Sequence, residues 1–337
     1  MGLTPLRRVV SALQGKEIDM VPVTSIAGCG GMVTVDMQSV TRISLLEAYR
    51  NPESMAKLSL ACHQLTGIEN ARVPFDFVVE PEALGCEVKW WERPEILPSV
   101  KSHPFKSPAD LTVPKKLVES GRIPVVLEAI GMAREEAGDF LPISSLALGP
   151  FSLAGELAGV ADFLKWTLRK PKYVEKFVDF TTEFVIEYAR AQYSAGSNIV
   201  EVADAMASLD MISPNAFREF AKPALAKIAR RLKGMKVLHI CGRTEPILAD
   251  VLELGFDGVS LDIDIPHLKS VAGNTKVLGN VSSKRTLVLG STDDVKAEAK
   301  KALEAGVDLL EPDCGFSPIT PTKNIRALVE ARNEYYK

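Results

Sequence analysis

Short apolar segments alternate with amphipathic segments along most of this chain, and no other feature constrains the fold as strongly. The predicted strands cover residues 21–24, 68–77, 142–148, 198–203, 236–240, 258–262, 276–279 and 307–311. Apolar residues in the intervening segments recur at helical spacing. Strands that alternate with helices of about 10–15 residues form βα units and a parallel sheet.

Polar residues that favour helix N-caps mark where several helices begin. They are Thr4, Asn51, Ser213, Ser291 and Thr320, and four of them directly precede a proline. No Gly/Ser-rich or Pro-rich linker divides the 337 residues. We therefore predict an α/β fold in which residues 1–337 form a single (β/α)₈ TIM barrel domain. The helix predicted from Thr4 to Gly15, before the first strand, forms an N-terminal helical extension, and residues 80–117 form an irregular excursion. Periodicity alone leaves two open sheets as the alternative.

Composition excludes several classes of protein. Apolar residues make up 46% and the net charge is −3, which is typical of a globular protein and not of a general nucleic-acid binder. The most apolar stretch, residues 141–164, is interrupted by prolines and acids and does not predict a membrane span. Five cysteines without a closely spaced framework, and no signal-peptide core, indicate a reduced, cytoplasmic protein.

A barrel predicts where the chemistry lies, because catalytic groups occupy the loops that follow the carboxyl ends of its strands. Polar residues at these predicted strand ends are Asp76, Asp204, His239, Cys241, Asp262, Asn280, Glu311, Asp313 and Cys314.

Three of these residues predict a metal site. His239 and Cys241 are two positions apart at one strand end and therefore share a face, and Cys314 follows another strand. Two thiolates and one imidazole suit Zn²⁺ and leave a fourth position open, as in catalytic zinc sites. The alternatives are buried cysteines and a histidine that caps a carbonyl. The loop 28–31 (GCGG) matches no phosphate-binding spacing and is interpreted as a flexible connection that can border the site.

Several longer stretches resemble a known family. They are 13–23 (LQGKEIDMVPV), 121–130 (GRIPVVLEAI), 149–154 (GPFSLA), 237–242 (VLHICG), 279–283 (GNVSS), 314–315 (CG, with TP at 320–321 shortly after) and 329–336 (VEARNEYY). These stretches are spread over nearly the whole chain. Through them the chain resembles the methylcobamide:coenzyme M methyltransferases of methylotrophic methanogens, which belong to the uroporphyrinogen decarboxylase superfamily. The resemblance implies a (β/α)₈ barrel and carries over His239, Cys241 and Cys314 as zinc ligands. It also implies that a separate corrinoid protein delivers the methyl group.

The expected function is zinc-dependent transfer of a methyl group from a methylated corrinoid protein to a small thiol acceptor such as coenzyme M. Asp204, Asp262 and Glu311 are the expected catalytic residues on the rim that carries the zinc. Asp204 is expected to orient the acceptor, and Asp262 is a candidate fourth zinc ligand when the acceptor is absent. Asp76 and Asn280 are expected to contact the cofactor.

The sequence departs from the family near the expected site. Ala205 stands where the family typically has proline, and Glu311 and Asp313 add carboxylates beside Cys314. Two carboxylates would repel the sulfonate of coenzyme M, so another thiol or tetrahydrofolate is an alternative acceptor. A uroporphyrinogen decarboxylase-like lyase is a further alternative. Its polycarboxylate substrate favours arginine at the site, but residues 23–41 contain neither Arg nor Lys. A structural zinc in a non-enzymatic protein is the remaining alternative.

Overall fold

In the computed structural model, which describes residues 2–112, 114 and 116–337, strands alternate with helices as the sequence predicts. The strands are β1 (Ala71–Val73), β2 (Val88–Lys89), β3 (Ser99–Val100), β4 (Ile143–Leu148), β5 (Ile199–Ala203), β6 (Met235–Ile240), β7 (Gly258–Leu261), β8 (Lys276–Val281) and β9 (Leu309–Pro312). Within the described residues, seven of them form one sheet in the order β1-β4-β5-β6-β7-β8-β9. Every neighbouring pair is parallel.

The curled sheet closes through the segment around Val23. Val23 forms an isolated parallel bridge with Leu310 of β9, and the Thr24 N–H donates to the Leu310 carbonyl at 2.9 Å. On its other side, Glu69 N–H donates to the Val23 carbonyl at 2.8 Å, just before β1. The predicted α/β barrel is thus confirmed. Its eighth strand is shorter than predicted because Pro22 has no N–H to donate to a ladder.

Helices surround the sheet. They are α1 (Pro5–Leu13), α2 (Val35–Thr41), α3 (Leu45–Ala48), α4 (Pro52–Thr66), α5 (Val79–Ala83), α6 (Ile123–Ala137), α7 (Pro150–Ala158), α8 (Val160–Arg169), α9 (Pro171–Ala195), α10 (Pro214–Ala216), α11 (Lys222–Arg231), α12 (Leu248–Leu252), α13 (Ile265–Val271), α14 (Thr292–Glu304) and α15 (Thr322–Tyr335). In the described part of the chain, no helix is both long enough and apolar enough to cross a membrane.

Most predicted helix starts are used as predicted. The side chains of Thr4, Asn51, Ser213 and Ser291 accept hydrogen bonds from the first turns of α1, α4, α10 and α14. The last helix follows Thr320-Pro321 as predicted, with Pro321 in the extended N-cap conformation and Thr322 as the first helical residue.

The excursion at residues 80–117 is more ordered than predicted. It contains most of α5, the antiparallel pair β2–β3 and a short 3₁₀ turn at Pro108–Asp110, and a second such turn begins at Leu117. Its positions 113 and 115 lie outside the described residues. Trp90 anchors the excursion to the barrel, since its ring lies 5.7 Å from that of Tyr49 and 4.8 Å from the Arg122 guanidinium.

A buried ion-pair network joins the two ends of the chain to the start of β1. The Glu69 carboxylate binds Arg8 of α1 and, at 3.0 Å, Arg332 of α15. It also accepts the Val23 N–H at 3.0 Å. All three of these side chains are at most 8% exposed. Asp19, which is 25% exposed and pairs with Arg8 at 2.7 Å, supplies the second negative charge, so two carboxylates balance two guanidinium groups.

Replacing Glu69 with alanine should therefore destabilise the barrel strongly. Removal of one member of a buried pair leaves its partner charged and unpaired, which costs about 3–5 kcal/mol. Urea unfolding of Glu69→Ala, followed by circular dichroism, measures the loss. Glu53→Ala removes an exposed ion pair with Lys57 and serves as the control, with stability close to that of wild type. Equal stability of the two variants would contradict the role of this network.

Candidate metal centre

In the described part of the chain, four side chains that can bind a metal ion meet at one end of the barrel. His239 belongs to β6, Cys241 follows β6, Cys314 follows β9, and Cys29 lies in the loop after Val23. Their donor atoms all lie within 4.8 Å of one another. The Sγ atoms of Cys29 and Cys241 are 3.4 Å apart, and the Cys314 Sγ lies 3.7 Å from the His239 Nε2.

Strand register orients the imidazole. His239 is fully buried and lies opposite Ser260 of the adjacent β7. The Ser260 hydroxyl is 3.1 Å from the His239 Nδ1. A hydroxyl that accepts the Nδ1 proton leaves Nε2 with a free lone pair, and Nε2 is the atom that faces the sulfurs.

Two buried charges hold the loop that carries Cys29. Gly28 N–H donates to the Glu201 carboxylate at 2.6 Å, and the Gly28 carbonyl accepts from the Arg72 guanidinium at 2.7 Å. Glu201 and Arg72 form an ion pair with fully buried side chains. The next N–H, that of Cys29, donates to the Cys314 sulfur at 3.0 Å. The loop predicted to be a flexible connection therefore contributes a sulfur to the cluster.

Gly28 has no room for a side chain. Its φ is +129°, and a Cβ there would lie 2.0 Å from the Gly315 nitrogen. Backbone can thus pass this close to the Cys314 loop only where the residue is glycine.

The cluster favours a thiolate. Hydrogen bonding from Cys29, together with Cys314 and His239, lowers the pKa of the Cys241 thiol, while the pKa of Cys29 is raised by the same contact. Burial opposes a charge on His239, but the two neighbouring thiols outweigh it and raise the pKa of the imidazole. Metal ions bind thiolates, so the lowered pKa of Cys241 favours a cation, whereas His239 and Cys29 must release their protons when they bind one.

The donor set suits a tetrahedral ion. Zinc–sulfur bonds of about 2.3 Å place the sulfurs of a tetrahedral site roughly 3.8 Å apart. The 3.4 Å Cys29–Cys241 and 3.7 Å Cys314–His239 separations are close to such edges. The cluster can therefore bind a metal ion with little movement of its side chains.

Asp204 lies directly after β5 and caps α7. Its fully buried carboxylate accepts the Ser152 N–H at 2.7 Å, the Ser152 hydroxyl at 2.6 Å and the Phe151 N–H at 3.2 Å. Burial raises the pKa of Asp204 to about 6. Its own N–H donates to the His239 carbonyl, so it is a direct backbone neighbour of the cluster.

Glu311 orders the backbone that leads to Cys29. Its buried carboxylate accepts the Thr24 hydroxyl at 2.6 Å and the N–H groups of Ile26 and Ala27 at 2.7 and 3.1 Å. Burial raises the pKa of Glu311 to about 7.

The remaining predicted site residues also make structural contacts. The Asp262 carboxylate accepts the Gly242 N–H at 2.7 Å, next to Cys241, but it is not one of the four clustered donors. Asn280 donates its amide to the Ile263 carbonyl at 3.1 Å. Asp76 is buried and binds Arg122 through both of its oxygens.

Three residues of the site are not predicted from the sequence. A lone cysteine in a loop carries no spacing signal, so the sequence does not predict Cys29 as a ligand. Glu201 and Arg72 are charged residues inside apolar strands. A charge in such a strand requires a buried partner, and this signal could have drawn attention to them.

Replacing Gly28 with alanine should weaken metal binding. The added methyl group would push the Cys29 loop away from Cys314. Disturbing a residue that orients metal ligands typically lowers affinity about 10- to 100-fold. Titration with Co²⁺ against a competing chelator measures the change.

Gly30→Ala is the matched control. Its φ is also positive, but the nearest atom to an added Cβ is a flexible leucine methyl at 3.5 Å. If Gly28→Ala and Gly30→Ala bind Co²⁺ equally well, the close contact with Gly315 does not position the site.

Comparison with known proteins gives one consistent result. The model of the family described as uroporphyrinogen decarboxylase (URO-D) matches residues 4–335. The methylcobamide:CoM methyltransferase MtaA of Methanosarcina barkeri is 41% identical, over 98% of this chain and 97% of its own. A methylated-thiol–coenzyme M methyltransferase of Methanosarcina mazei is 34% identical, over 98% of this chain and 90% of its own. The solved structure of a methyltransferase from Methanosarcina mazei is 42% identical, with a TM-score of 0.95 over 99% of this chain and 100% of its own.

Proposed function

The chain belongs to the uroporphyrinogen decarboxylase (URO-D) family, in the branch that contains the methylcobamide:CoM methyltransferases, and we propose that it is a zinc-dependent methyltransferase. It moves a methyl group from a methylated corrinoid protein to a thiol such as coenzyme M. The observation that carries the proposal is the cluster of sulfur and imidazole donors at one end of the barrel. The barrel fold alone does not activate a nucleophile, whereas a metal ion bound by this cluster would.

His239, Cys241 and Cys314 are the proposed zinc ligands. Zn²⁺ suits thiolate and imidazole donors, and it undergoes no redox reaction beside a reduced cobalt. When bound, it supplies Lewis acidity that keeps a coordinated thiol deprotonated. Ser260 orients His239, and the Cys29 N–H stabilises negative charge on Cys314.

The reaction requires a thiolate, since a free thiol has a pKa of about 8.5 and is mostly protonated at neutral pH. After the acceptor thiol has lost its proton, the sulfur attacks the methyl carbon of methyl-Co(III) in line. A carbon–sulfur bond forms and the cobalt–carbon bond breaks. Its electron pair remains on the cobalt, which becomes Co(I), and the product is a thioether.

The acidic residues of the rim act as positioning residues in this proposal. Asp204 holds the start of α7 beside the His239 backbone, and Asp262 holds the turn after Cys241. Glu311 holds the backbone that leads to the Cys29 loop. Contact of Asp76 and Asn280 with the cofactor stays a prediction, and Asp76 already pairs with Arg122.

Glu311 and Asp313, the two added carboxylates, already accept hydrogen bonds from the protein, and this favours an anionic thiol acceptor over a folate. Glu311 is bonded to backbone N–H groups of residues 26 and 27, and Asp313 accepts the Ser283 N–H at 2.8 Å. Donors that already face these oxygens offset their charge, so the repulsion of a sulfonate is weaker than the sequence alone implies.

The corrinoid protein must bring its methyl group to the rim that carries the cluster. The excursion at residues 80–117 is the surface we propose for its docking. The Gly28–Gly31 loop, the other surface considered from sequence, suits docking less, since three of its four residues are buried.

Purified protein should contain about one Zn²⁺ per chain. The Cys241→Ala, Cys314→Ala double variant should lose the ion, because two of its sulfur ligands are gone. Elemental analysis measures the metal. Cys62→Ala removes a buried cysteine of α4 outside the cluster and should keep full zinc content. Stoichiometric zinc in the double variant would disprove the ligand assignment.

Methylcobalamin and coenzyme M should give Co(I) and methylated thiol at a rate that falls with zinc removal and returns with zinc. The appearance of Co(I), followed by absorption, measures the transfer. Tetrahydrofolate as sole acceptor should give no turnover. Turnover with the folate and none with any thiol would show that the proposed acceptor class is wrong.

The acceptor's chalcogen should bind the zinc directly. A selenol analogue of the thiol acceptor places a heavy scatterer beside the metal, which X-ray absorption at the zinc edge resolves from sulfur. We expect one zinc–selenium distance in the complex. If the first shell is unchanged by every active acceptor, the ion is structural and the proposed function fails.

A further inference from the structure

We propose that Cys29 is a fourth, displaceable metal ligand, which binds the ion when no acceptor is present and leaves when a thiol takes its place. This inference rests on the proposed function, because only thiol transfer requires the ligand to leave. Cys29 therefore adds to the set of His239, Cys241 and Cys314, and it takes the place expected for Asp262.

Distance supports ligation by Cys29. Its sulfur lies 3.4 Å from that of Cys241 and belongs to the group of donors within 4.8 Å of one another. The Asp262 carboxylate is not in that group and is occupied by the Gly242 N–H. Sulfur is also the donor type that the other two cysteines already provide, so a single ion suits all of them.

The loop backbone is built to bring this sulfur to the cluster. Glu201 and Arg72 fix both polar groups of the Gly28 peptide linkages, and the Cys29 N–H is fixed on Cys314. A buried ion pair with a loop backbone as its third partner is costly to assemble, and here it aims one side chain at the metal donors. A loop with no role at the site would not require such anchoring.

The same anchoring allows the sulfur to leave. The contacts that hold residues 28 and 29 are made by backbone atoms, apart from those of the Cys29 sulfur itself. Rotation about χ1 therefore moves the sulfur off the metal without moving the loop, and it passes between staggered rotamers. Cys29 is also partly exposed, so the rotated side chain has access to the rim.

Displacement of Cys29 opens a position for the substrate at a metal site that has four protein donors. A zinc site with four permanent protein ligands is closed, as in structural sites, while a catalytic site needs one position for the substrate. Because the acceptor thiol also binds through sulfur, replacing the Cys29 sulfur with it leaves the types of donor atom around the ion unchanged. In the exchange, the metal–sulfur bond to Cys29 breaks, the bond to the acceptor sulfur forms, and the acceptor's proton passes to the Cys29 sulfur.

Counting sulfur atoms around the zinc tests the proposal directly. X-ray absorption of the zinc protein without acceptor should give three sulfurs and one nitrogen in wild type and in the Cys62→Ala control. Cys29→Ala should give two sulfurs. When the selenol analogue is added, wild type should lose one sulfur and gain one selenium, and Cys29→Ala should gain selenium with its two sulfurs retained.

Each other outcome has a distinct meaning. Two sulfurs in wild type without acceptor would show that Cys29 is not a ligand. Three sulfurs retained beside selenium, or selenium that enters Cys29→Ala but not wild type, would show that Cys29 is a permanent ligand and overturn displacement. If selenium enters neither protein, the proposed function fails and displacement fails with it, while the sulfur count without acceptor still decides ligation.

Discussion

The parallel bridge between Val23 and Leu310 is the contact on which the site depends. It closes the curled sheet, and it fixes where the first βα loop begins relative to the end of β9. Since Cys29 lies six residues after Val23 and Cys314 lies four residues after Leu310, the bridge brings their two loops side by side. The contact between Gly28 and Gly315 is the direct result.

A second constraint comes from the charges inside the barrel. Arg72 on β1 and Glu201 on β5 are fully buried, and each also bonds the backbone at Gly28. A buried ion pair gains little stability by itself, because desolvation offsets the attraction. Here each member of the pair also makes one hydrogen bond to the Gly28 backbone, so the pair positions the loop that carries Cys29.

The site combines a rigid and a movable part. His239 is fully buried on a central strand, and its Nδ1 contacts the neighbouring β7, so its orientation cannot change without a shift of the sheet. The three cysteines follow strands and are partly exposed. Metal-assisted transfer to a thiol needs this combination, because some ligands must keep the ion while one position exchanges.

Local sequence signals predicted most barrel strands, most helix starts and the positions of His239, Cys241 and Cys314 at strand ends. These signals act within a few residues: alternation of side chains, capping and the two-residue spacing of a strand. The strand predicted at 68–77 is only Ala71–Val73, and the β2–β3 pair was not predicted. The strand predicted at 21–24 is reduced to a bridge at Val23, because Pro22 has no N–H to donate to a ladder.

Only the tertiary structure decided the fourth donor and the use of the acids. Cys29 meets Cys314 across 285 residues of chain, and Glu201 meets Gly28 across 173, at distances that no local pattern encodes. Likewise, Glu311 reads in sequence as a carboxylate beside the metal, but in the barrel its oxygens face the N–H groups of Ile26 and Ala27. The sequence determined which chemical groups stand at the strand ends, and barrel closure decided which of them face one another.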